Sequence, residues 1–264
     1  MNIDWINIAT LLLSGGVLVK LMELVYQALK TRFDSKETAK KIIDLHLDPL
    51  MKSADEIVGK TCSLARRDFK ELIPPKNTDI NSNELPSIEI LGILYLYARF
   101  WGRIEILHQE SLGISISTDK RGELLREFFA SLESQKIRLV DRTHQKAIGE
   151  LATHLDRNGK LRSIGVVEFV SKFKKHQEMQ NWLIPLLKIL QNTKDKKIRQ
   201  KVLVYGVVMH ALVDTLDPKH HSSHWRPAYP NKLTKQSRQN IRYQVFNRYL
   251  KMVKNIDKYL ETKK

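Results

Sequence analysis

A chain of 264 residues with 42% hydrophobic content is long and apolar enough to bury a core, which excludes wholesale disorder. Sparse glycine (11) and proline (8), with abundant Lys, Leu, Ile and Glu, favour helices over sheets. The lone cysteine, Cys62, excludes an internal disulfide and points to a reducing compartment, while a net charge of +16 points to polyanionic partners.

The opening stretch "DWINIATLLLSGGVLVKLMELVYQALKTR" is uncharged from Trp5 to Val19 and stays apolar through Leu21, Met22, Leu24, Val25 and Tyr26. A bilayer-spanning helix needs roughly 20 mostly apolar residues, and Trp5–Tyr26 reaches that length if Lys20 and Glu23 are tolerated. Those two lie three apart and can pair, and Lys20 can extend its stem towards the headgroups. Trp5 and Tyr26 bracket the stretch as interfacial aromatics, and Gly15 and Gly16 would let a second helix approach closely. Lys30, Arg32, Lys36, Lys40 and Lys41 follow the span and no basic residue precedes it, so the basic side stays in the cytoplasm. A signal peptide fits poorly, because the start carries Asp4, no basic side chain and no small-x-small cleavage site. The competing reading is an amphipathic helix folded on the core or lying in the interface.

Next, "FDSKETAKKIIDLHLDPLMKSADEIVGKTCSLARRDFKELIPP" predicts two helices. Asp34 or Ser35 caps the first, and Asp48-Pro49 restarts the chain as cap and first helical position. Ile57, Leu64 and Phe69 mark the second stripe, and "KNTDINSNELP" reads as a polar loop. A helix over about 87–110 is the most apolar segment of the remaining chain. Its longest charge-free run, Ile90 to Ala98, is too short to span a bilayer and suits a buried central helix. "DKRGELLREFFASLES" places Leu124, Leu125, Phe128, Phe129 and Leu132 at helical spacing. "DRTHQKAIGELATHL" does the same for Ala147, Ile148, Leu151, Ala152 and Leu155, before a "DRNGK" turn. Helices over about 166–176 and 179–191 follow, then a buried helix in "IRQKVLVYGVVMHALVDTLDP". After the irregular "KHHSSHWRPAYPNKLT", a basic amphipathic helix over about 236–260 carries Ile241, Val245, Tyr249 and Val253 on its apolar side. No strand set emerges. The predicted fold class is all-α, with one N-terminal transmembrane helix (1–32), a multi-helix cytoplasmic bundle (33–218) and a basic loop and C-terminal helix (219–264).

Four segments in order, "DPLMKSADEI", "LYLYARFWGRIEIL", "QKAIGEL" and "ALVDTLDP", resemble a widespread family of uncharacterised bacterial proteins. The resemblance covers roughly residues 45 to 218. It implies helical architecture, often behind an N-terminal membrane segment, and no established activity. At the position of His108 that pattern commonly carries arginine.

Arg103 and His108 form the R-x4-H spacing of the helical HEPN-type ribonucleases, in which the arginine stabilises phosphate and the histidine moves protons. Residues five apart on one helix point about 140° from each other, which separates the two tips within one chain. The alternative is a rim helix whose Arg99, Arg103 and Glu105 form ion pairs. His220, His221 and His224 beside Asp217 make an H-H-x-x-H cluster, whose metal reading requires three or four converging ligands. No phosphate-binding glycine loop or nucleophile elbow occurs, so the sequence implies no cofactor and no small-molecule ligand.

From Lys219 to Lys264 there are twelve Lys or Arg against Asp257 and Glu261, a net +10. Arg238, Arg242, Arg248, Lys251 and Lys254 form the basic surface, suited to anionic lipid headgroups, with RNA the less favoured partner despite the interleaved Tyr243 and Tyr249. The reading is an inner-membrane, cytoplasm-facing protein with a scaffold, sensor or membrane-effector role rather than an enzymatic one. Its anchor would oligomerise with Lys20 turned away from lipid, since an unpaired charge in hydrocarbon is costly. The alternative function is a membrane-tethered HEPN-like ribonuclease using Arg103 and His108.

Overall fold

The computed structural model describes residues 15–72, 86–226 and 232–260. These residues fold as a helical assembly in which α1 (Gly15–Arg66), α2 (Ile88–Glu110) and α7 (Lys196–Leu216) form the central layer. α3 (Lys120–Leu132), α4 (Arg142–Leu151), α5 (Val166–Lys175) and α6 (Gln177–Gln191) pack around it. The all-α reading holds. One departure from it is a small antiparallel hairpin, β1 (Thr153–Leu155) and β2 (Leu161–Ser163), paired Thr153↔Ser163, His154↔Arg162 and Leu155↔Leu161. The "DRNGK" turn makes it: the Asp156 carboxylate accepts the backbone N–H of Asn158 and Lys160 at 2.8 and 2.9 Å, and Gly159 takes φ +71°. The helix predicted through Leu155 therefore ends at Leu151, and Leu155 is exposed on the hairpin rather than on a buried stripe.

The two helices predicted between Phe33 and Pro75 are one continuous helix of 52 residues. Asp34 and Ser35 lie inside it, and Pro49 sits in its interior. An interior proline costs ~3 kcal/mol of helix preference through its missing N–H. Leu50, Met51, Ala54, Ile57 and Val58, all fully buried just beyond it, hold the helix together by packing. Among described side chains, the first buried one on α1 is Ala39. Before it Met22, Leu24, Val25, Tyr26 and Phe33 are exposed.

Of the predicted anchor, Trp5 lies outside the described residues, and Gly15 and Gly16 open α1. Among the described residues no helix is long and apolar enough to cross a membrane. Lys20 is exposed, and no ion pair joins it to Glu23.

α2 begins one residue after its N-cap Ser87 and buries residues on most of its circumference, as a central helix should. The Trp101 Nε1 donates to the Tyr205 hydroxyl at 3.1 Å, and both pack with Tyr97. α2 and α4 cross backbone to backbone at Gly102 and Gly149: a Cβ on Gly149 would lie 2.8 Å from the Trp101 carbonyl oxygen. Aspartates cap α3, α4 and α7 through Asp119, Asp141 and Asp195.

The C-terminal region differs from the single amphipathic helix predicted over 236–260. It comprises α8 (Lys235–Ile241), a π-helical turn (Arg242–Phe246), an irregular stretch with Asn255 at φ +53°, and α9 (Asp257–Leu260). Leaving the α register buries Phe246 and Leu250 together with Ile241, Val245, Val253, Tyr259 and Leu260, all continuous with the main core. Tyr249, which an unbroken helix would bury, is exposed with the Arg248 guanidinium 5.1 Å from its ring centre.

Candidate functional site

Among the described residues, two of the grooves bring chemistry-bearing side chains together. The first groove runs along α2. It encloses about 290 Å³ and is lined by Trp101, Ile104, Glu105, His108, Glu133, Arg142 and Lys146, among others. His108 lies there with its Nδ1 3.9 Å from the Glu105 carboxylate and its ring edge-on to Phe129. Partial burial lowers the His108 pKa, opposed by the Glu133 charge, which favours the uncharged imidazole. Burial also raises the Glu105 carboxyl, with Glu150 and Glu133 adding to it and Lys146 opposing.

Arg103 does not line this groove. It is half-buried beside Arg99, its Nε finds no hydrogen-bond acceptor among the described residues, and burial together with the Arg99 charge disfavours its protonation. Of the ion pairs predicted for Arg99, Arg103 and Glu105, Arg99 binds Glu56 of α1 at 2.7 Å, and Glu105 faces His108. The five-residue step on a continuous α2 thus separates Arg103 from His108 within one chain. The cations that share the groove with His108 are Arg142 and Lys146. The sequence offered no signal for this, since both come from α4.

The second groove opens where the end of α7, the 217–225 loop and the 252–259 stretch meet, and encloses about 430 Å³. Asp214 stands at its base, bound by the Lys258 ammonium and accepting from the Tyr259 hydroxyl at 2.7 Å. His220 and His210 approach its oxygens at 3.8 and 3.6 Å. Burial pushes His210 down to about 4, with the Asp214 charge opposing, and pushes the Tyr259 phenol well above its ordinary value, with Asp214 adding to it.

The three histidines proposed as metal ligands separate. His220 faces Asp214, His221 is exposed, and His224 sets its Nδ1 2.6 Å from the Asp55 carboxylate of α1. Among the described residues no group of three or more His, Cys, Asp or Glu converges to hold a metal ion. Asp217 works inside its own loop, accepting from the His221 and Ser222 N–H and the Ser223 hydroxyl at 2.9, 2.9 and 2.8 Å. Against the pull of burial these bonds hold its carboxyl below the ordinary range. Asp55, buried, also binds the Arg226 guanidinium, and despite burial the two partners hold it below the ordinary range.

No family model, curated protein or solved structure matches this chain.

Of the basic residues predicted as a surface, Arg248, Lys251 and Lys254 are exposed, while Arg242 is half-buried on Asp257 and Arg238 is half-buried on α8. Lys254 lines the second groove and has no acidic partner among the described residues. The groove's other cation, Lys258, and its exposed aromatic, Trp225, were not singled out in the sequence. Trp225 sits between His224 and Arg226, whose shared partner Asp55 is about 170 residues away in sequence, so no local pattern announces it.

Proposed function

We propose that the chain is a membrane-anchored helical protein whose bundle faces the cytoplasm from the inner membrane and works as a scaffold, sensor or membrane effector. The observation that carries this reading is the uncovered start of α1. Met22, Leu24, Val25, Tyr26 and Phe33 are between 51% and 75% exposed. Met22, Val25, Tyr26 and Phe33 fall within one arc of about 100° of the helix and Leu24 lies on the other side, so the start of α1 carries an apolar stripe that the bundle leaves uncovered. A water-facing helix with this composition is unfavourable, at about 25 cal/mol per Å² of apolar surface. The uncharged sequence Trp5 to Val19 leads directly into it. The four-segment resemblance, with its implied N-terminal membrane segment, supports the same reading.

α1 runs unbroken from this stretch to the core residues Ile43, Leu50 and Met51, so its exposed start and the bundle share one helix. Displacement or rotation of anchors in an oligomer would pass directly to α2 and α7, which pack on α1. The exposed Arg248, Lys251 and Lys254 add attraction to anionic headgroups, each worth about 1 kcal/mol close to the surface. The test compares the full chain with one starting at residue 37. The full chain is expected in the membrane fraction, and the shortened chain in the soluble fraction with the same far-ultraviolet dichroism per residue. Recovery of both in the same fraction would refute the reading. A Gly16→Ile, Lys20→Leu variant should fall from oligomer to monomer in detergent, and an unchanged size would refute oligomerisation through the anchor.

A second reading rests on the His108 groove. An imidazole beside a carboxyl, with Arg142 and Lys146 at the walls, can move protons around a phosphodiester, as a tethered ribonuclease would require. Purified protein would then cleave RNA, and His108→Ala would abolish cleavage. If His108→Ala protein matched the wild type, or neither cleaved, the ribonuclease reading would end there.

A further inference from the structure

The second groove contains a feature that folding alone does not explain. Trp225 is 67% exposed, yet its neighbours on both sides, His224 and Arg226, are fastened to the buried Asp55 of α1. The preceding loop is fixed in turn by the three donors on Asp217 and by the contact of His220 Nδ1 with Ser223 Oγ at 3.1 Å. A large indole is therefore held at the rim of a cavity by a rigid frame, which lowers the ordering cost of any ligand that stacks on it.

The cavity's size and lining narrow the ligand. Its volume of about 430 Å³ falls within the roughly 300–1,000 Å³ of small-molecule sites. Pro218, Met252 and Tyr259 supply apolar wall, and Asn255 supplies an amide that both donates and accepts. The one carboxylate in the lining, Asp214, pairs through Oδ2 with Lys258 and the Tyr259 hydroxyl and has His220 3.8 Å from its Oδ1, which accepts no hydrogen bond among the described residues, and Asp257 is bound by Arg242. Lys254, with no acidic partner among the described residues, leaves the groove with a cation to offer. Lys219 and Lys251, both exposed, flank it in sequence.

We propose that this groove binds a nucleotide, with the base stacked on Trp225 and the phosphate held by Lys254. An aromatic face, an amide and a free ammonium around one cavity match a planar, hydrogen-bonding ring that carries an anion. Inorganic phosphate has no aromatic ring to stack, and a phosphatidylserine headgroup has none either. The assignment does not depend on the membrane reading, because every residue it uses lies in the described bundle.

The test is isothermal titration of the full chain with AMP, GMP, CMP and UMP, alongside inorganic phosphate and phosphatidylserine vesicles. Saturable binding of at least one nucleotide at a single site is expected. Trp225→Ala and Lys254→Ala should each weaken it about tenfold, within the range for loss of one base stack or one charge contact, while Trp225→Phe retains most of it. Both side chains are exposed, so unchanged thermal melting of the two variants verifies that the fold is intact. The proposal is overturned if no nucleotide binds at millimolar concentration, or if both alanine variants bind as the wild type does. It is equally overturned if inorganic phosphate or vesicles bind as tightly and displace the nucleotide.

Discussion

Along α1, the stretch over 20–38 and the stretch over 39–66 belong to one helix yet meet opposite surroundings. The first exposes its described apolar side chains, and the second buries Ala39, Ile43, Leu50, Met51, Ala54, Ile57 and Val58 against α2 and α7. Helix propensity is lower in the second, which carries Pro49 and Gly59, so it is packing that separates them: the second stretch gains its order from the core, and the first leaves its apolar side chains uncovered. Pro49 lies on the packed side, where tertiary contacts override its cost.

The largest effect should come from cutting the packed stretch off its far partners. Asp55→Ala leaves the mostly buried Arg226 without its carboxylate and should destabilise the fold by about 3–5 kcal/mol in urea titration. A loss below ~1 kcal/mol would mean that Arg226 simply turns to solvent. Leu50→Ala, at a site with no exposure to speak of, should cost about 2–5 kcal/mol.

His210 gives a pH signature from the same core. Its folded pKa, about 4, lies below the unfolded value near 6.5, so between those values the unfolded chain binds the proton and the folded chain does not. Stability therefore falls on acidification across that window, by roughly 3 kcal/mol at most from this group. In His210→Gln the slope between pH 6.5 and 4 should flatten, and an unchanged slope would assign it to other groups. Asp55 and Asp217, with carboxyls held low, contribute stability that is present above about pH 4 and lost only as pH falls further.

Pro49→Ala should stabilise the bundle modestly, by about 1 kcal/mol, because it restores an N–H to an already packed helix. Smallest of all, Leu24→Ser should shift the melting of the bundle by less than ~0.5 kcal/mol. A larger shift would show that residues 20–38 pack on the bundle after all.

The same contrast explains what could be read in the sequence. α2 was legible to within a residue, because Ser87 caps it and an apolar run fills it, and the aspartate-capped starts of α3 and α4 were equally local signals. The continuity of α1 through Asp48-Pro49 was not legible, since the packing that overrides proline comes from α2 and α7. The hairpin was missed because the apolar spacing of Ala147 to Leu155 outweighed the Asp156–Gly159 turn. In the C-terminal region, the four-residue spacing of Ile241 to Val253 concealed the π turn that buries Phe246 and Leu250 instead of Tyr249. At the candidate sites, single residues were visible and their companions were not. His108 was named, but Arg142 and Lys146 reach it from α4. Lys254 and His220 were named, but Trp225 is placed by Asp55 from the other end of the chain.

The proposed contrast within α1 is tested most directly by extracting membranes from cells expressing the full chain, first with high salt and then with alkaline carbonate. Insertion of the first stretch in lipid predicts that the protein stays in the pellet through both washes and leaves only with detergent. Release by salt alone, or recovery in the supernatant before any wash, would contradict it and leave the exposed residues of α1 to a protein partner.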